Sequence, residues 1–213
     1  MSPTVDPIAK LREFWNGRYE AEGYAYGTAP NAFLVESSHL LPAHGRVLCL
    51  ADGEGRNGAW LAAQGFDVTS VDIAEAGLVK ARALAAARGV AIATEAVDVT
   101  TFELGRERWD AIVSIFLHLP ARPRAALHAR CVQALRPGGV FVFTAYTPEQ
   151  LACGTGGPKE AELLPALADV EADFAPAAGC AIEHRFSGLK HVVEGRLHSG
   201  DAQVAELVVR KLA

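Results

Sequence analysis

Apolar residues recur along this chain with two different periods, and the switches between them mark its elements. From Pro7 to Tyr19 the spacing is helical, with Ile8, Leu11, Phe14 or Trp15, and then Tyr19. A loop rich in Gly and Tyr follows (EAEGYAYGTAPN), and Ala32–Leu41 reads as a second helix closed by Pro42. Strands and helices then alternate. Arg46–Ala51 is a strand, and Asn57–Gln64 a helix stopped by Gly65. Residues 66–72 (FDVTSVD) form a β-branched strand, Glu75–Arg88 a helix, and 92–99 (IATEAVDV) a third strand. Residues 109–117 (WDAIVSIFL) are almost wholly apolar, as a strand buried on both faces must be. Arg122–Leu135 is helical, RPGG (136–139) turns the chain, and VFVFTAY (140–146) is a fifth strand.

This alternation predicts an α/β fold with a doubly wound, Rossmann-like, mostly parallel sheet. Beyond Tyr146 the rhythm changes. A long loop leads to a helical stretch, KEAELLPALADV, and then to two extended segments, Ala181–Ser187 and Gln203–Lys211. The polar EGRLHSGD lies between them, so they are expected to pair as an antiparallel C-terminal hairpin at one edge, making seven strands. The expected organisation is a single domain over 1–213. Residues 1–42 form an N-terminal helical lid, 46–146 a ligand-binding core, and 147–213 a C-terminal helix and closing hairpin.

Composition narrows the class of function. The chain has 213 residues, half of them hydrophobic, and a formal net charge of -5 without a basic run, which argues against a nucleic-acid partner. No apolar stretch is long enough to span a bilayer, and MSPTVDPIAK lacks the apolar core of a secretory signal, so the expected location is cytoplasmic. The four cysteines show no CxxC spacing and the seven histidines no HxxxH or HExxH pair, so no metal site is expected. Nothing in the pattern specifies an oligomeric state.

The candidate chemistry sits after the first strand. LADGEGRNG (50–58) contains Gly53-x-Gly55-x-x-Gly58, which read literally is the spacing of a dinucleotide loop. Glycines there let the backbone turn sharply and approach a ligand, and Gly58 serves close helix–strand packing. Asp72 ends the second strand, where a carboxylate suits ribose hydroxyls; its plainer reading is a cap for the helix that follows. Asp98 likewise suits an adenine amino group or caps a turn. Asp52 and Glu54 lie in the loop itself. Two carboxylates would repel a diphosphate but tolerate a cation such as the sulfonium and amino group of S-adenosylmethionine. The literal glycine pattern keeps a nicotinamide-dependent oxidoreductase as the alternative.

A larger set of motifs resembles the class I S-adenosylmethionine-dependent methyltransferases, and within them the tellurite-resistance methyltransferase group. It comprises WNGRYEAEGYAYGTAPNAFL (15–34), LCLADGEGRNGAWLA (48–62), VDIAEAGLVKARALA (71–85), SIFLHLP (114–120), LRPGGVFV (135–142), YTPEQ and GTGGP, with a weaker echo in EGRLHSG. The resemblance implies S-adenosylmethionine as cofactor. Ala51, Asp52, Gly53 and Gly55 would hold its methionine portion, Asp72 with Ile73 the ribose, and Asp98 with Val99 the adenine. Ser114, Ile115 and Phe116 would line the sulfonium side. Trp15, Tyr19 and Tyr26 would cover the cofactor, with Arg56 and Asn57 beneath. Two departures stand out: Cys49 where many methyltransferases have an acid, and Ala51 where the first glycine is usual.

Methyl transfer from a sulfonium needs alignment, and a base only when the acceptor must lose a proton. The expected substrate is a small molecule, either an oxyanion such as tellurite or selenite, or a thiol. Candidate catalytic residues are His118, His184 and Arg185, with Arg196 and His198 also in the tail; each is also an ordinary surface or strand-edge residue. A module that binds S-adenosylmethionine without turnover is the remaining alternative.

Overall fold

The computed structural model describes residues 6–174 and 179–212. Its sheet has seven strands: β1 (Arg46–Leu50), β2 (Asp67–Asp72), β3 (Ala93–Ala96), β4 (Trp109–Ile115), β5 (Leu135–Tyr146), β6 (Cys180–Glu194) and β7 (His198–Lys211). Their spatial order is β3-β2-β1-β4-β5-β7-β6. The first five are parallel, while β7 runs antiparallel between β5 and β6. This is the mixed Rossmann-like sheet with a closing hairpin that the alternation predicts. The order reverses between β1 and β4, and in such sheets the crevice that takes a ligand lies beyond the carboxyl ends of the strands at that point.

Alternate residues of each strand feed two cores. Leu48, Leu50, Trp109, Ile112, Phe141 and Phe143 face Leu127 and Cys131 of α5 (Ala121–Ala134) and Val170 of α6 (Leu167–Asp173). Val47, Cys49, Val113 and Val142 face Phe33 and Leu34 of α2 (Ala32–Glu36) and Leu61 of α3 (Arg56–Ala63). α4 (Glu75–Ala87) packs on α3 through Ala59, Leu84 and Ala85. α1 (Pro7–Glu20) stands on α4 and presents Ile8, Leu11 and Phe14 to solvent, so its helical period does not mark a core face.

Three sequence expectations change. The helix expected over KEAELLPALADV is broken by Pro165, with a short 3-10 turn at Ala161–Leu163 and α6 beginning only at Leu167. RPGG is a bulge inside β5, because Leu135 already pairs with Trp109 before the register resumes at Ala111 and Val140. The hairpin strands are much longer than expected, and most of EGRLHSGD is strand, the turn being only residues 195–197. Six rungs, from Leu189↔Gln203 to Glu194↔His198, run past the last β5–β7 rung, Tyr146↔Val204. At about 3.3 Å per residue the hairpin overhangs the crevice by roughly 20 Å.

Candidate functional site

The floor of the crevice is the turn after β1. Gly53 and Gly55 take left-handed backbone angles (φ 56° and 80°), and Ala51 is forced into the same region at φ 50°. Asp72, at the end of β2, fixes the turn: its Oδ2 accepts from Gly53 N at 2.8 Å and its Oδ1 from Ala74 N at 2.9 Å. It is both a helix-end acceptor and a clamp on the loop. Burial raises its carboxyl to about 6. Each of its oxygens keeps a lone pair for a further donor.

The two loop acids do not form the outward negative pair that the sequence suggested. Asp52 points inward, its Oδ2 accepting from Ser70 Oγ at 2.6 Å and from Gly58 N at 3.2 Å. Burial lifts it to about 7, and its Oδ1 is buried without a partner among the described residues. Glu54 pairs with Lys80 Nζ at 3.0 Å and accepts from Ala25 N at 2.7 Å, tying the loop to α4 and to the N-terminal segment. Their physical role is anchoring, because packing rather than chain position sets which way a turn side chain points. Cys49 lies wholly in the core, so an acid three residues later, Asp52, fastens this turn to α3 and β2. Gly58 has no room for a Cβ, which would stand 2.4 Å from both Asp52 Oδ2 and Ser70 Oγ.

The N-terminal segment roofs this floor. Tyr19 lies so close that a Cβ on Gly53 would stand 2.6 Å from its hydroxyl, and one on Gly77 would stand 2.8 Å from its ring. Trp15 stacks on Tyr19 (centroids 5.6 Å apart), and with Tyr26 and Ile73 they form one cluster. Arg18 Nη1 donates to Tyr26 Oη at 2.8 Å. Burial and nearby Asp72 hold the Tyr19 phenol well above its ordinary pKa. Arg56 and Asn57 are bonded to other parts of the chain: Arg56 to Glu194 at 2.6 Å, and Asn57 Oδ1 to Asn31 N at 2.9 Å. Asn31 Nδ2 also donates to Glu194.

Asp98 caps a turn, its Oδ1 accepting from Thr100 N and Oγ1, both at 2.8 Å. Val99 is buried beside Phe102 in the core. Ser114 and Ile115 end β4, buried, and Phe116 follows with a left-handed φ of 55°.

Under the hairpin overhang lies a box of rings. His118 stacks on Tyr146 (5.7 Å, 7° between planes), and Phe116 lies 4.6 Å from Tyr146. His198 stands 4.6 Å from Tyr26, 5.3 Å from Tyr146 and 5.4 Å from Phe116. Three polar atoms in this box are buried without partners among the described residues: His118 Nε2, Tyr146 Oη and His198 Nδ1. His118 Nδ1 lies 3.2 Å from the Leu163 carbonyl. A carbonyl only accepts, so Nδ1 carries the proton and Nε2 the free lone pair. Burial lowers His118 to about 4 and His198 to about 3, the latter aided by Arg56 and His118, so both rings are neutral at pH 7. Behind the box, Gln150 bonds Thr155 Oγ1 and the Gly156 carbonyl and accepts from Gln203 N. It thereby holds Gly156 against His198 and Gly157 against Tyr146.

The structure therefore brings His118 and His198 together but not His184 and Arg185. His184 pairs with Val208, which in turn pairs with Val142 halfway along β5. It packs on Phe33 and lies 3.8 Å from Glu206, while exposed Arg185 pairs with Glu171. Arg196, at the hairpin turn, is exposed. Sequence reasoning missed Tyr146, whose signal was its place as the first residue of YTPEQ, at the end of a core strand.

S-adenosylmethionine fits this chain. Tyr19, on the separate α1, closes over the Gly53 turn where a ligand would approach, and Asp72 beside it retains acceptor capacity. Comparison with known proteins agrees. Residues 47–139 match the family described as a methyltransferase domain. No curated protein matches the sequence. A structure solved in connection with the conversion of a disulfide bond into a thioacetal group during echinomycin biosynthesis is 22% identical (TM-score 0.76), covering 95% of this chain and 92% of its own. An S-adenosylmethionine-dependent methyltransferase from Mesorhizobium loti is 20% identical (TM-score 0.62), covering 83% and 96%. TehB from Haemophilus influenzae is 17% identical (TM-score 0.67), covering 94% and 66%. At such identities the structures speak for the fold. Residues 47–139 thus match a methyltransferase domain, and S-adenosylmethionine is the cofactor that goes with it.

Proposed function

We propose that this protein methylates a small, uncharged acceptor that gives up a proton as it reacts, with a thiol as the best fit. The observation that carries the reading is His118 Nε2, a buried imidazole lone pair without a partner among the described residues, in a box whose histidines are neutral. S-adenosylmethionine, when bound, supplies a methyl carbon already activated by its sulfonium. The chain's own work is to hold both reactants and to move one proton. Asp72 and the Ala51–Gly55 turn hold the cofactor, with Ile73, Asp98 and Val99 on its nucleoside side and Ser114–Phe116 on the sulfonium side. Trp15, Tyr19 and Tyr26 exclude water from above.

His118 takes the acceptor proton on Nε2, while its Nδ1–H bond to Leu163 fixes the ring and its tautomer. Tyr146 Oη and His198 Nδ1 orient the acceptor. His184 and Arg185 have no part in this reading. Residues 6–42 act as the lid, 46–146 hold the cofactor, and 147–174 with 179–212 close the acceptor side.

The structural relative connected with disulfide-to-thioacetal conversion supports sulfur as the acceptor atom. The motif resemblance to the tellurite-resistance methyltransferase group supports a second reading, an oxyanion such as tellurite or selenite. Two neutral histidines weigh against it, because an oxyanion needs positive charge, and the Arg56 guanidinium is already paired with Glu194. Release of S-adenosylhomocysteine with 2-mercaptoethanol, tellurite and selenite in parallel tests the choice. Turnover with the thiol supports the first reading, turnover with an oxyanion alone the second. Binding of the cofactor without turnover on any acceptor would favour a non-catalytic module.

A further inference from the structure

The hairpin turn carries a buried carboxylate that this mechanism does not use. Glu194 is 5% exposed and accepts from two donors on separate parts of the chain: Arg56, the first residue of α3 after the cofactor turn, and Asn31, which precedes α2. In the β6–β7 ladder its partner is His198. A carboxylate fixed by charged and neutral hydrogen bonds at one side of a rung fixes the residue at the other side. The turn beside it leaves no slack. A Cβ on Gly195 would stand 2.4 Å from Gly27 N and 2.7 Å from Tyr26 Cα, so the hairpin tip lies flush against the N-terminal segment.

We propose that Glu194 is a positioning residue: anchored by Arg56 and Asn31, it holds the His198 ring in the acceptor box and so sets the acceptor side of the site from the cofactor side. This rests on the reading of the box as the acceptor site. Without the anchor, the overhanging hairpin keeps its own ladder, the Gln150 contacts, the Thr155 Oγ1 bond to the Asp201 carbonyl and the packing of Gly195 on Tyr26 and Gly27, but the rung that carries His198 loses its charged tether and the ring leaves the faces of Tyr26, Phe116 and Tyr146.

Proton NMR of the imidazole Cε1–H signals in the full chain tests this without needing an acceptor, with His198→Ala assigning one of the seven histidine signals. In the wild type the His198 signal is displaced by the ring currents of its three aromatic neighbours. In Glu194→Ala it moves to the position of a free histidine, while His118, held by Leu163 and Tyr146, stays where it was. If the alanine variant does not fold, Glu194→Gln, which keeps the shape but loses the charge, is read in the same way. A His198 signal that does not move overturns the proposal. So does equal movement of His118 and His198, which would mean general loosening. In turnover, Glu194→Ala raises the acceptor KM about tenfold and leaves the Kd for S-adenosylhomocysteine within about threefold. The reverse pattern, a weakened cofactor with an unchanged acceptor KM, also overturns it. Failure of the wild type to methylate any acceptor would sink the functional reading and leave the NMR result to decide the role of Glu194.

Discussion

The floor and the roof of this site are built by different physics. The floor is made by short-range events: a buried strand, a turn of left-handed glycines, and an acid at the next strand end that bonds the turn. The roof is made of side chains that meet across long stretches of chain, as in Glu194 with Arg56, 138 residues apart, and with Asn31, 163 apart. The floor uses backbone donors and close packing, so almost any change there meets atoms at once. The roof depends on a few polar anchors over a stack of rings, and its parts are separable.

Gly55→Val should break the floor and give the largest effect. Its Cβ would stand 2.4 Å from Ala81 Cβ and 2.6 Å from Ala81 Cα, at a φ of 80°. The clash with backbone and the left-handed strain together predict a loss of about 4 kcal/mol of stability in urea unfolding. A loss under about 1 kcal/mol would show that α3 and α4 separate easily, and that the floor is not rigid.

Next in size is pH, where floor and roof should respond with opposite signs. Asp52 is raised from 3.8 to about 7 in the folded state, so the fold holds its proton more tightly than the unfolded chain does. Its contribution is fully present below about pH 4 and is lost as pH rises towards 7, with a slope of about 1.4 kcal/mol per pH unit at most. His118 is lowered from 6.5 to about 4, so the unfolded chain binds its proton more tightly. Its contribution is present above pH 6.5 and lost as pH falls towards 4. Urea midpoints across pH 4–7 for wild type, Asp52→Asn and His118→Gln should therefore give difference slopes of opposite sign. Slopes of the same sign would contradict the environments assigned to the two groups.

Smaller again is Asp72→Ala. Loss of its charged hydrogen bonds should weaken S-adenosylmethionine binding by about 2 kcal/mol in calorimetric titration, and an unchanged Kd would remove it from the cofactor site. Smallest is Gln150→Ala, which frees the loop behind the acceptor box. A rise of about threefold in acceptor KM is expected, with cofactor binding untouched. Equal weakening of both ligands would show that this loop supports the floor as well.

The same contrast explains what the sequence made legible. The strand–turn–helix rhythm from 46 to 146 reads directly, because buried strands and glycine stops leave local signals. The hairpin reads as two short segments because only one face of its overhang packs, through Val192 and Ala202, on a small cluster. Leu189 and Val193 are exposed there, so apolar alternation fades although the backbone stays paired. In the site, the positions of Asp72 and Gly53 are legible, but the directions of Asp52 and Glu54 are not, since each turns towards a partner outside its own turn. Tyr146 reads as one more apolar strand residue, and only the rings of His118 and His198 beside it reveal its hydroxyl as part of a site. His184 and Arg185 read as well as His198 in sequence. The register separates them, since they sit halfway down the sheet and His198 beyond its end.

The central claim is that an uncharged box, with His118 as its base, receives an acceptor beside bound S-adenosylmethionine. Single-turnover methyl transfer to 2-mercaptoethanol by His118→Ala, with the Kd for S-adenosylmethionine measured in parallel, tests it most directly. The expected result is a rate at least about a hundredfold below wild type with the Kd within threefold. An unchanged rate, or a Kd that weakens as much as the rate falls, would contradict it.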